Sequence, residues 1–328
     1  MRDPANQGKP LPEYIRKGED SILTSQKEDG SIFNRGMSSY NTAVCMMALL
    51  AANKEEYAPA ILKGRAYLIK QQNHFAPDNP YNGGIGYGDK QAPPIADLSN
   101  TSLALEAIYY SQKLAKDGKY GEQPDLDWNA ATEFKYGEQL ELDWYSATEV
   151  INRCQQNPAV NKEPWVSNDK SQIGGFVYRP GVSSARDKKA AAFDKAEPPK
   201  AYGSMTYAGM QSLIYANVDK NDPRVKLALK WLENSYSLDE NPGMGVQGLY
   251  YYYQAMSKAL SAMGIDTLTL ENGRKVDWRD ELANKLISIQ KSDGSWVNTN
   301  NRWWEADPVL VTSYCVLALE QLYHSIPR

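Results

Sequence analysis

Gln290-Lys291-Ser292-Asp293-Gly294-Ser295-Trp296 closes one helical pattern and precedes another, the apolar run Asp307 to Leu319. A near copy, Gln26-Lys27-Glu28-Asp29-Gly30-Ser31-Ile32, also precedes an apolar run, Asn41 to Leu50. Two matching helix–turn–helix signals near opposite ends of 328 residues predict a repeat protein. Between them the pattern recurs. The leading helices are expected over Glu13–Ser25, Ala60–Gln72, Trp144–Gln155, Val225–Tyr236 and Trp278–Gln290. Their following helices are expected to start near Tyr40, at Asp97, near Tyr202, at Gln247 and at Pro308. Glycines in the connecting loops permit the positive φ that a sharp turn needs.

The two helices of a pair differ in pattern. The leading one carries charge on one face, as with Arg65 and Lys70 or Glu281 and Lys285, so that face meets water. The following one is apolar nearly all round, as in Tyr314-Cys315-Val316-Leu317-Ala318-Leu319, and is expected to be buried on all sides. The simplest arrangement is all-α: an α/α toroid of about five helical pairs, following helices inside and leading helices outside. The organisation expected is an irregular arm over 1–12 and a single domain over 13–328. A tandem 16-residue duplication at 119–150 and a charged loop at 181–200 interrupt the repeats. The first copy, 119–134, reads as a surface excursion.

Composition removes several function classes. Basic and acidic residues number 36 and 40, with no long run of one sign, which argues against a nucleic-acid surface. The longest nearly continuous apolar run, Ala43 to Ala52, is far short of the roughly 20 residues of a membrane span. No export signal is visible, although one that has been removed would leave no trace, so the compartment stays open. Cys45, Cys154 and Cys315 are odd in number and widely spaced, and read as free thiols.

The repeat resembles that of the terpenoid cyclase/protein prenyltransferase superfamily, in particular bacterial proteins with prenyltransferase and squalene-oxidase repeats. Lys63-Gly64-Arg65-Ala66-Tyr67-Leu68 with Gln72 is similar to the first half of that signature, and Leu286, Gln290, Gly294 and Trp296 to the second. Lys17-Gly18, Ile22, Gln26, Gly30 and Ile32 follow it without the aromatics, and the fourth unit has Tyr236 where the Gln belongs. The resemblance covers roughly 13–323 and implies a toroid around a central cavity, with an isoprenoid or other apolar small molecule as partner and no cofactor. It speaks for a fold more than for an activity.

Family chemistry is only partly represented. Class II cyclases carry Asp-x-Asp-Asp-Thr at the start of an inner helix. Asp97-Leu98-Ser99-Asn100-Thr101 resembles it but has Ser99 and Asn100 where the acidic pair belongs. Neither delivers a proton with carboxylic acidity, so the plain reading is that Asp97 or Ser99 caps a helix. The Asp-x-Cys zinc pair of protein prenyltransferases is missing, and His74 and His324 are the only histidines, so no metal site is expected. Tyr120 and Tyr136 stand where complement-type thioester domains have their Cys.

The strongest candidate cluster is Asn300 to Asp307, which joins Arg302, Trp303, Trp304, Glu305 and Asp307 just before a helix. The indoles would form apolar or sugar-stacking walls, and Glu305 or Asp307 would act as acid or base. Against this stands a cap reading for Asp307-Pro308. The candidate catalytic residues are therefore Asp97, Glu305 and Asp307. The candidate ligand-binding residues are Tyr40, Asn100, Tyr202, Tyr207, Arg302, Trp303 and Trp304. Of Tyr250 to Tyr253, at most two can face one cavity, and the others should pack with their hydroxyls bonded. Three functions follow: an apolar-ligand protein, enzyme or binder; a carbohydrate-active lyase or hydrolase; and a non-catalytic interaction module.

Overall fold

The computed structural model describes residues 11–88, 95–112, 114, 141–185 and 198–324. Most of the expected arm, most of the duplication and the middle of the 181–200 loop lie outside these residues. The described chain is mostly helical, as an all-α reading requires, with one two-stranded sheet. The chain divides into two compact units, Met1–Glu149 and Val150–Arg328.

The first unit contains α1 (Glu13–Thr24), α2 (Ser38–Ala52), α3 (Ala58–Lys70), α4 (Leu98–Tyr110) and the start of α5 (Trp144–Cys154). The following helices α2 and α4 pack together, and the leading helix α3 lies against both. In the second unit are α6 (Gly203–Tyr215), α7 (Pro223–Asn234), α8 (Leu249–Met263), α9 (Trp278–Ile289) and α10 (Pro308–His324). Here α8 packs between α6 and α10, while the leading helices α7 and α9 back α6 and α10.

Every expected helix is present, with ends displaced by no more than about two residues, the usual uncertainty of a frayed helix end. Local chemistry sets several of these ends. Asp97 accepts the Asn100 N–H at the start of α4, and Asp222 accepts that of Arg224 before Pro223 opens α7. One element was not anticipated. β1 (Thr267–Thr269) and β2 (Lys275–Asp277) form an antiparallel hairpin turning at Leu270-Glu271-Asn272-Gly273. It buries Leu268 and Val276 and leads into α9, whose Trp278 is buried.

One set of hydrogen bonds joins consecutive helical pairs. The Gln26 side chain donates to the carbonyls of Gly30 (3.2 Å) and Ala60 (2.8 Å), tying its own turn to the next leading helix, α3. Gln72 does the same with Gly83 and Asp143, and Gln155 with Gly174 and Arg224. Gly30, Gly83 and Gly174 lie at φ +90°, +85° and +97°. A Cβ on any of them would meet a backbone oxygen of the next leading helix, at Lys63, Ser146 and Leu227 respectively, within 2.2 Å. Two residues beyond each Gly, the N–H of Ile32, Ile85 or Phe176 donates to a buried threonine of the following helix: Thr42, Thr101 or Thr206. Trp296 and Thr312 repeat this bond at α10. The fourth joint solves the problem differently. The Tyr236 hydroxyl donates to Glu281 of α9 at 3.0 Å, reaching the next leading helix without a Gln.

The expectation that following helices are buried all round holds for α4, α6 and most of α8, and fails for α2 and α10. Val44 on α2 and Val309, Val316, Leu317 and Tyr323 on α10 are exposed. Each of these two helices packs against one other following helix within its unit, which leaves an apolar side uncovered. Cys45, Cys154 and Cys315 form no disulfide among the described residues, and burial raises the pKa of Cys45 to about 11 and of Cys315 to about 12. Among the described residues no helix is long and apolar enough to cross a membrane.

Candidate functional site

The three carboxylates singled out by sequence share one use. Each accepts N–H groups from the first turn of a helix, which has four such donors without internal partners. Asp97 caps α4 through Asn100 N at 2.9 Å, and its other oxygen accepts the Asn100 side-chain amide at 2.7 Å. Asp307 caps α10 through Val309 N at 2.8 Å. Glu305 caps a helix to which it does not belong: one carboxylate oxygen accepts the N–H groups of Tyr250 (3.1 Å) and Tyr251 (2.9 Å) at the start of α8.

That third cap repeats a rule of the fold. Gly248, at φ +64°, precedes α8 and offers no side chain to cap it. The loop of the next helical pair supplies the acceptor. Likewise Asn241 accepts Ser204 N at the start of α6, and the Tyr87 carbonyl accepts Ser39 N at the start of α2. Glu305 is the charged version of this brace. Its second oxygen accepts the Asn298 amide at 2.6 Å, and Asn298 also donates to the Val246 carbonyl. Burial raises the Glu305 pKa, against the lowering pull of its hydrogen bonds with Tyr251, Asn298 and Tyr250.

This buried framework holds an exposed surface. Asn300 N donates to Asn298 Oδ1, Arg302 N to Asn300 Oδ1, and the chain turns through a short 3₁₀ segment, Arg302–Trp304. Trp303 and Trp304 both adopt positive φ, 56° and 60°. That conformation costs a bulky L-residue roughly 1–2 kcal/mol. Trp303 leans on Gly248 and takes the Arg302 guanidinium over its ring at 4.3 Å, while Arg302 donates to Gln247. Trp303 is 42% and Trp304 65% exposed. Val246, on the loop bonded to Asn298, and Val309, in the first turn of α10, are exposed as well. Two hydrogen-bonded loops and the start of α10 thus present four large apolar side chains to solvent.

The other candidates lie elsewhere. Tyr202 and Tyr207 are buried within the second unit, with the Tyr207 ring 5.6 Å from that of Tyr252. Neither is accessible to a solute without movement. The Tyr250 to Tyr253 run packs largely as expected: Tyr250, Tyr252 and Tyr253 are buried and donate to the carbonyls of Val297, Ser237 and Leu238, while Tyr251 is half-buried against Tyr314. Tyr40 and Asn100 belong to the first unit. Tyr40 is half-buried, and Asn100 is buried with its Oδ1 unpartnered among the described residues. Thr101, which with Asp97 is kept from the motif the segment resembles, is the α4 member of the recurring threonine set. Asn298, Gln247 and Gly248 complete the loop site but lack any local sequence signal. Among the described residues no cluster of His, Cys, Asp and Glu is arranged to hold a metal. No protein-family model matches the chain, and no curated protein matches it.

Proposed function

We propose that this chain is a ligand-binding protein with cyclase-like toroid ancestry, which takes an apolar, isoprenoid-class molecule on the surface formed by Val246, Trp303, Trp304 and Val309. The observation that carries this reading is the contrast between the two parts of the site. Its indoles are exposed and held in a strained conformation. Its carboxylates, Glu305 and Asp307, are occupied as helix caps. A rigid support under an exposed apolar patch favours recognition over proton transfer.

Intrinsic fluorescence tests the proposal. A farnesyl or geranylgeranyl alcohol should change the tryptophan emission saturably. Trp304→Ala should weaken that binding about tenfold, the loss expected for one well-packed aromatic contact. A second reading, saccharide stacking, draws on the polar Arg302 and Gln247 beside the indole of Trp303. Saturable binding of oligosaccharides with no response to the isoprenoid alcohols would replace the first reading with the second.

A further inference from the structure

The recurring joint between repeats leaves one half exposed on α1 and the other half exposed at α9 and α10. In the joints led by Gln26, Gln72 and Gln155, three contacts recur in one register. The Gln donates to a first-turn carbonyl of the next leading helix, Ala60, Asp143 or Arg224. The positive-φ Gly abuts the carbonyl of Lys63, Ser146 or Leu227. The small residue after that carbonyl, Gly64, Ala147 or Ala228, is buried. At Gly64 the structure names the neighbour: a Cβ there would touch the Met46 side chain of the preceding following helix.

The fifth joint has its own half in place. Gln290 donates to the Gly294 carbonyl, Gly294 lies at φ +84°, and Trp296 N donates to Thr312. Around Gly294 the nearest atom to an added Cβ is the Gln290 side-chain nitrogen at 4.0 Å, so no backbone closes on it. Val316 stands one helical turn past Thr312, as Met46 stands past Thr42, Leu105 past Thr101 and Met210 past Thr206. Those three are fully buried, whereas Val316 is 53% exposed. The matching half is on α1. Tyr14, Lys17 and Gly18 stand there where Ala60, Lys63 and Gly64 stand in α3, at the same spacing before the motif Gln. Tyr14 is exposed, and nothing lies within 4 Å of a Cβ built on Gly18. The opposite side of α1 is anchored through Glu19, which accepts from Lys54 and Tyr57.

We propose that two copies of this chain associate head to tail, the α1 face of one filling the open joint of the other. Gln290 then donates to the Tyr14 carbonyl of the second copy, Gly294 abuts its Lys17 carbonyl, and Val316 packs on its Gly18. The internal joints are the template, and α1 carries the residues that template requires. Such a contact is heterologous, so the pair keeps one free half of each kind, one on each copy.

Sedimentation equilibrium on the full chain and two variants tests this. Gly18→Arg places a long side chain where, among the described residues, nothing lies within 4 Å of the new Cβ, and arginine is the better helix former. Gly294→Asn tolerates positive φ but blocks the approach of a carbonyl. Wild-type chain should associate in a concentration-dependent manner, and each variant alone should weaken this at least about tenfold. An equimolar mixture of the two variants retains one intact half of each kind and should form heterodimers that go no further. Those heterodimers would also show that both variants fold. A wild-type chain that stays monomeric, variants that associate as wild type does, or a mixture that does not recover dimers would each overturn the proposal.

Discussion

A single carboxylate, Glu305, shows how a residue can look catalytic and be architectural. Burial and a raised pKa are what a general acid requires. Here both oxygens face donors, and the helix start at Tyr250 takes the place of a substrate. The raised pKa gives a measurable sign. A folded-state value above the ordinary 4.5 means that the folded protein holds the proton more tightly than the unfolded chain does. The Glu305 contribution to stability is therefore greatest at acid pH. It falls as pH rises from about 4.5 through the higher folded value, then stays level. Urea unfolding of wild type and Glu305→Gln across this range should show a stability difference that moves against the wild type as pH rises. A difference independent of pH would mean that Glu305 titrates normally. Asn298, the partner that holds the carboxylate, donates across a distance that no local spacing in the sequence encodes.

At the scale of the element, the joint glutamine unites a loop and two helices. Gln155→Ala removes donors to Gly174 and Arg224 and leaves two carbonyls short of a partner, at a cost of about 2–3 kcal/mol. Gln290→Ala removes only an exposed bond within its own turn and should cost under about 1 kcal/mol. Chemical denaturation at low protein concentration compares the two, and equal losses would remove the bracing role given to Gln155. Helix positions were legible because their signals are local: a 3.6-residue apolar period, a capping Asp and a Pro in the first turn. The hairpin before α9 carried a signal too, an Asn272-Gly273 pair flanked by alternating residues, but its strands are only three residues each. The strained conformation of Trp303 and Trp304 was not legible, because surrounding contacts impose it against local preference.

For the molecule as a whole, the joints between helical pairs make stability uneven in a definite way. Alanine at Gly174 or at Gly294 meets the same backbone penalty, roughly 1–2 kcal/mol for a left-handed φ. At Gly174 it must also displace the Leu227 carbonyl, 2.1 Å from the new methyl, so Gly174→Ala should cost several kcal/mol more than Gly294→Ala. Thermal melting of the two variants under dilute conditions reads the gap, and equal melting temperatures would show that the joints are not close-packed. Sequence alone located these glycines because they stand in the loops that connect the two helices of a pair. It did not show that their freedom serves contact with the next helix, since the loops between Gln and Gly differ widely in length.

The brace that Asn241 lends to α6, and Glu305 to α8, also imposes a direction in time. A ribosome makes α8 before it makes the loop that carries Glu305. The opening turn of α8 therefore leaves the exit tunnel with its amide hydrogens facing water. It acquires its acceptor only after a further hairpin and helix have emerged. The same lag applies to α6 and Asn241. Both helices are completed by the pair synthesised after them, so until the Glu305 loop emerges the nascent chain carries a frayed α8 beside an already braced α6.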